Sequence, residues 1–280
     1  DFFLTPTAEL ADIVLPAATW LEMDYIGDFW KRHGYLLPRR KVVQIGECRS
    51  DHDMLNDLGH RVGQAEHWWD DFEGGLDYIL EPAGIKWQDF KKMDYIRGPV
   101  NYRKYQDRGF STPTKKFELY STLLENWGYD PLPKFREPPE SPVSMPERHE
   151  QFPYILITGA RSPGFFHTEN RQVPWLRELH KDPVVEIHPR TAEKEGIKEG
   201  QWVIIESARG KVRQRAKIFG GIHPKVVGAQ HAWWFPENKD PGHGWDESNI
   251  NILTDNAYDA CDPAMGATSV RTLLCKIYPE

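Results

Sequence analysis

The stretch YILITGARSPGFFHTENR, residues 154–171, runs from an apolar segment directly into side chains that carry chemistry. Gly159 follows the apolar run, and lacking a Cβ it lets a ligand approach the backbone or lets the chain take a positive φ. Arg161 and Arg171 offer forked cations that bind phosphate through paired N–H donors. His167, Thr168, Glu169 and Asn170 add donors and acceptors for the edge of a heterocycle. An anionic ligand bearing a heterocycle suits this set. A surface loop with solvated charges has the same composition, and on residue type alone that plainer use is the commoner one.

Three further clusters invite comparison. In WDESNINILTDNAYDACDP, residues 245–263, Asn249 and Asn251 alternate with Ile250 and Ile252. Such amides read purine or pterin edges, although asparagine more often caps turns. In QHAWWFPE, residues 230–237, the side chains of Gln230, His231, Trp233 and Trp234 could line a pocket, with packing the favoured use. KVRQRAKI, residues 211–218, sets Lys211, Arg213, Arg215 and Lys217 on one face by strict alternation, which predicts a solvated outer face.

No self-contained catalytic device accompanies these groups. The 11 histidines show no HExxH spacing, and GxSxG, Walker and GxGxxG patterns are missing. Cys48, Cys261 and Cys275 lie far apart without a CxxC pair, so they read as buried free thiols rather than a metal site or a disulfide framework. The net charge of −7 argues against a general nucleic-acid binder. No run reaches the roughly 18 apolar residues of a membrane span. Apolar content of 39% and charged content of 28% are ordinary for a globular chain, and 280 residues accommodate two domains.

The elements that must position these groups follow from periodicity. Residues 1–25 predict a strand at FFLT, a helical turn at PTAELA and a second strand at DIVLPAATW; an opening inside an apolar run reads as part of a longer polypeptide. Ser50 and Asp53 cap a predicted helix whose Met54, Leu55, Leu58 and Val62 share one face, with Gly63 as its stop. Residues 64–130 continue as aromatic, helical segments, so residues 1–130 form a partial α/β region. Residues 131–153 are proline-rich and nearly free of bulky aliphatics, the texture of an interdomain linker. Residues 154–280 are β-rich. YILIT, PVVEIHP, KVVGAQHAWWFP and RTLLCKIY predict strands, QWVIIESARGKVRQRAKI a hairpin about Gly210, and RTAEKEGI a short helix stopped by Gly196. The fold class expected is mixed α/β followed by an all-β part, a closed or nearly closed barrel.

Taken together, the segments resemble the C-terminal part of the molybdopterin oxidoreductases, the dimethyl sulfoxide reductase family. FLTPTAELADIVLPAATWLE is similar to that family's T-x-T-A and A-D-I-V-L-P segment. ILITGARSPGFFHTENR is similar to its strand followed by T-G-x-R and a histidine. VVEIHPRTAEKEGIKEGQWVIIESARGKV carries its I-H-P-x-T-A, G-I-x-x-G and V-x-x-x-S-x-x-G pattern, and NILTD with CDPAMG its N-x-L-T and D-P segment. MDYIGDFWKRHGYLLPRR stands where many members have G-T-F-x-N, which sets the chain apart from the classical formate dehydrogenases. The wording of FFHTENRQVPWLRELHKDP and QHAWWFPE resembles the branch that includes acetylene hydratase.

The resemblance implies a C-terminal double-psi β-barrel preceded by part of the family's central α/β domains. It implies cofactor contacts at Thr158, Gly159, Arg161, His167 and Asn251, and also at Thr168, Arg171 and Lys276. The implied cofactor is bis-molybdopterin guanine dinucleotide with molybdenum or tungsten, its metal ligand and an iron–sulfur cluster lying upstream. The implied partners are the remainder of the catalytic subunit and an iron–sulfur electron-transfer subunit. The alternative is a stand-alone, non-catalytic barrel that binds a pterin dinucleotide or a protein.

Overall fold

The computed structural model describes residues 1–27, 34–99, 101–262 and 264–280. The section Asp28–His33 of the segment that stands in place of G-T-F-x-N lies outside the described residues, as does Pro263 of the D-P segment. By contacts the chain divides into two compact units, Asp1–Phe110 and Ser111–Glu280.

In the first unit, strands β1 (Tyr25–Gly27), β2 (Tyr35–Arg39) and β3 (Ile96–Arg97) form a small antiparallel sheet. Its core gathers Ile26 with Leu76, Leu80, Trp87 and Phe90, contributed by helices Phe72–Leu80 and Trp87–Phe90. Asp71 caps the first of these by accepting from the Gly74 N–H at 2.8 Å. The helix predicted at Ser50 is present as Asp51–Arg61, with the Asp53 N–H donating to Ser50 Oγ at 3.1 Å and Gly63 at φ 80 beyond its end. Its predicted core face is reversed: Leu55, Leu58 and Val62 are exposed while Asn56 and Gly59 are buried, Gly59 against the Trp68 ring.

At the N-terminal end the helical turn is formed at Pro6–Glu9 under a Thr5 cap, but FFLT and DIVLPAATW are not strands. Strands need a ladder partner. Among the described residues, these segments find one isolated bridge, Ala17 to Arg49, and most of their apolar side chains are exposed.

The second unit is built on a closed barrel of β4 (Tyr154–Ala160), β5 (Val184–Ile187), β6 (Trp202–Ser207), β7 (Gly210–Ile218), β8 (Val226–Gln230) and β9 (Leu273–Pro279), in the order β4-β8-β5-β7-β6-β9. The β4–β8 and β5–β7 pairs are parallel and the others antiparallel. Period-two alternation explains the closure. Val203 and Ile205 of β6, and Val212 and Ala216 of β7, turn inward to a core shared with Leu156, Ile187, Val227 and Ile277. The opposite face of β7 carries the predicted basic ladder, and it is paired outward: Arg213 with Glu247, Arg215 with Asp182 and Lys217 with Glu186.

Residues 131–153, expected as a linker, fall inside this second unit. The reason is Glu140, 5% exposed, whose carboxylate accepts from the Leu274 N–H of β9 and from Arg209 Nη2, each at 2.6 Å. The segment is neither wholly extended nor free: it holds the short helix Pro146–Gln151, and the Glu140 side chain fastens it to the barrel. The three cysteines are free, as expected, but Cys275 alone is buried, and burial pushes its thiol up.

Candidate functional site

β4 ends in a bulge. Thr158 pairs with Ala229 and Ala160 with Gln230, which leaves Gly159 as the extra residue. A bulge bends the strand and re-aims the loop beyond it. The φ of Gly159 lies outside the left-handed region, so the positive φ allowed by its type is not used. The glycine contributes room: nothing stands within 4 Å of the place a Cβ would occupy. Arg161 comes next but one, exposed, its guanidinium 6.0 Å from the Phe166 ring centroid.

The loop then folds back through His167 at φ 54 and Asn170 at φ 68, and the exit of β8 does the same through Ala232 at φ 61. Left-handed backbone costs a non-glycine residue roughly 1–2 kcal/mol, so both loops are held by something. One tie is between rings: His167 Nδ1 lies 2.9 Å from His231 Nε2, and His231 Nδ1 lies 3.1 Å from the Ala160 carbonyl oxygen. A carbonyl only accepts, so His231 Nδ1 carries the proton. His231 Nε2 is then the acceptor of a neutral ring, and His167 Nδ1 donates to it. Burial holds the His231 pKa below the ordinary imidazole value, and the charges of His167, Arg161 and Arg171 act in the same direction against the Ala160 hydrogen bond. The neutral form of His231 is therefore favoured more than in an ordinary imidazole.

Arg171 makes the second tie. Expected as a phosphate contact, it is 1% exposed, so its guanidinium is spent inside the protein. Nε donates to the Ala232 carbonyl at 3.0 Å and Nη2 to the His167 carbonyl at 3.2 Å. The cation lies 4.0 Å from the Trp233 ring centroid and 4.6 Å from that of Phe165. Burial and the nearby Arg177 charge pull its pKa down to about 9, which still leaves it a cation at neutral pH.

The other expected contacts are distributed differently. Thr168 is exposed beside His167. Thr158 is buried and its Oγ1 donates to the Val270 carbonyl at 3.0 Å, so the hydroxyl is already committed. Asn251 is exposed on the 3-10 turn Ile250–Leu253, whose Ile250 and Leu253 are anchored in the barrel core, and its own N–H donates to Asn249 Oδ1 at 3.1 Å. Lys276 belongs elsewhere: it pairs with Glu206 at 2.9 Å, and its neighbour Cys275 sits opposite Tyr154, at the start of β4 rather than its end. Trp233 and Trp234 are buried, in accord with packing, whereas His231 leaves the packing group and joins the site. No periodicity signals that contact, since 64 residues separate His231 from His167.

The fold finds close counterparts among known proteins. Residues 154–273 match the family described as Molydopterin dinucleotide binding domain. Acetylene hydratase of Syntrophotalea acetylenica is 32% identical over 99% of the chain. The chain belongs to the molybdopterin oxidoreductase family. The acetylene hydratase structure from Pelobacter acetylenicus superimposes on 99% of this chain with a TM-score of 0.90 at 30% identity. Dopamine dehydroxylase of Eggerthella lenta is 31% identical over 98% of the chain. The chain spans 39% of the length of the hydratase and 34% of the dehydroxylase. As a molybdopterin oxidoreductase domain, the barrel carries the bulged exit of β4 inside the matched segment, so Gly159, Arg161, His167 and Thr168 all fall within it.

Proposed function

We propose that the chain is the C-terminal, cofactor-closing part of the catalytic subunit of a molybdenum or tungsten enzyme that holds two molybdopterin guanine dinucleotides, and that its barrel is of the double-psi type. The two parallel pairs within the six-stranded barrel support the topology.

One observation carries the ligand. Arg177, Arg209, Arg213 and Arg215 of the same unit each meet a carboxylate, while Arg161 meets none among the described ion pairs. It stands two residues past the open backbone of Gly159. A pyrophosphate wants such a cation beside backbone it can approach closely, and a pterin or guanine edge wants the donors and acceptors of His167, Thr168 and Asn251. The residues present therefore fit the group. When bound, its metal supplies the two-electron or oxygen-atom chemistry, and this chain supplies binding and electrostatics.

The first unit supports a larger whole. Phe2, Leu4, Leu10, Ile13 and Leu15 are exposed together with the apolar face of helix Asp51–Arg61. So much bare apolar surface suits burial against the remainder of a catalytic subunit, with its iron–sulfur cluster, and fits a free-standing barrel poorly. An iron–sulfur electron-transfer subunit completes the proposed assembly. In the full-length protein, Arg161→Ala should lower metal and released pterin per polypeptide about tenfold or more, the loss of a charge-assisted hydrogen bond being worth about 1.5–3 kcal/mol. The melting temperature should be nearly unchanged. Undiminished metal loading would remove Arg161 from the cofactor site.

A further inference from the structure

A buried guanidinium without a carboxylate is costly, so Arg171 needs a reason to be where it is. Its surroundings offset the cost in part, through the faces of Trp233 and Phe165 and two carbonyl oxygens. Those carbonyls are informative. They belong to His167 and Ala232, two left-handed residues on the separate exits of β4 and β8. The same exits present the two imidazoles, because His231 directly precedes Ala232. Arg171 thus brackets the ring pair from behind, one N–H on each loop.

We propose that Arg171 is a positioning residue: it locks the exits of β4 and β8 in the one register that forms the His167–His231 hydrogen bond, and so fixes which imidazole nitrogen a ligand meets. With His231 Nδ1 given to Ala160, and His231 Nε2 accepting from His167 Nδ1, the nitrogen left over is His167 Nε2. It accepts when His167 is neutral and donates when the ring takes up a proton. The charges acting on His231 are cations, Arg161 and Arg171 from the loop after β4; Arg177 of helix Pro174–Leu179 acts on Arg171 and has its charge committed to Glu237 of the loop after β8. Glu169 lies in the same turn as His167, and His180 packs edge-on against Phe165. A second proton on His231 is therefore disfavoured. The inference rests on the proposed cofactor for the identity of the ligand, and on the observed contacts alone for the lock.

Its test needs no turnover. The tautomers are read from imidazole nitrogen shifts in the intact, 15N-histidine-labelled protein at neutral pH. Wild type should show both rings in the Nδ1–H form, whereas a free neutral imidazole prefers Nε2–H. Arg171→Lys keeps the charge but cannot stack flat and span two carbonyls. Arg171→Met keeps bulk without charge. Both should return His167 to the Nε2–H form, and Arg161→Ala should leave the tautomers as they are. Retention of the wild-type tautomers in Arg171→Lys would overturn the lock, as would their loss in Arg161→Ala. Should the methionine variant fail to fold, the lysine variant decides alone. Cofactor content separates the two proposals: tautomers lost with pterin content unchanged would leave the lock standing and take His167 out of the ligand set.

Discussion

At the scale of single residues, the molecule separates charges that are spent from charges that are kept. Lys276 is spent. With Tyr278 it converges on Glu206, at 2.9 Å and 2.6 Å respectively, and this trio is a structural fastening on β6 and β9. The hydrogen bond to Glu206, then burial, pushes the Tyr278 phenol up to about 12. The raised value means that the phenol contributes stability below its unfolded pKa of about 10 and loses it as pH rises through about 12. Absorbance titration of the phenolates should therefore show late-titrating tyrosines, Tyr120 and Tyr154 among them, and lose one of these in Tyr278→Phe. The same substitution should leave cofactor content alone, since this trio is remote from the bulge that holds Gly159. An unchanged titration curve would refute the assignment.

At the scale of elements, two devices shape the barrel, one at each end of β4. The bulge at Gly159 re-aims the loop leaving β4, and Glu140 secures β9 beside β4 from outside the ladder. Removing the Glu140 carboxylate strands the Leu274 N–H and takes one of two carboxylates from the Arg209 guanidinium, which keeps Asp255 and the Leu253 carbonyl. Glu140→Ala should cost about 2–4 kcal/mol in urea unfolding. Glu140→Gln should cost less, because its amide oxygen still accepts from Leu274. Equal costs would mean that the charge pair with Arg209, rather than the strand contact, is the segment's contribution. Such a role is invisible in the sequence, where residues 131–153 have the composition of a linker: the partner N–H of Glu140 lies 134 residues away.

At the scale of the whole molecule, the apolar surface of the first unit sets the terms. Leu10 and Ile13 are 81% and 80% exposed, and Phe2 and Leu15 nearby in the sequence are exposed as well, the kind of apolar surface that marks an interaction face. Produced without the remaining polypeptide, the chain should bind a hydrophobic dye and self-associate in a concentration-dependent way on size-exclusion chromatography. The full-length protein should do neither. A monodisperse, dye-silent 280-residue product would favour the free-standing module instead.

Much of this was legible in the residues alone. The barrel strands were, because period-two alternation fixes which side chains of β6 and β7 face inward, and so were the cap at Ser50, the stop at Gly196 and the hairpin at Gly210. These are local decisions, made within a few residues by sterics and nearest hydrogen-bond partners. The tertiary structure decided the rest. It left FFLT and DIVLPAATW unpaired because a strand exists only beside another, and it turned the apolar face of Asp51–Arg61 outward because no described element covers it. It also withdrew Thr158, Arg171 and Lys276 into internal bonds and brought His231 to His167. Whether a polar group is spent or kept depends on which distant carbonyl or ring the fold brings within about 3 Å, and residue type and spacing carry no record of that distance.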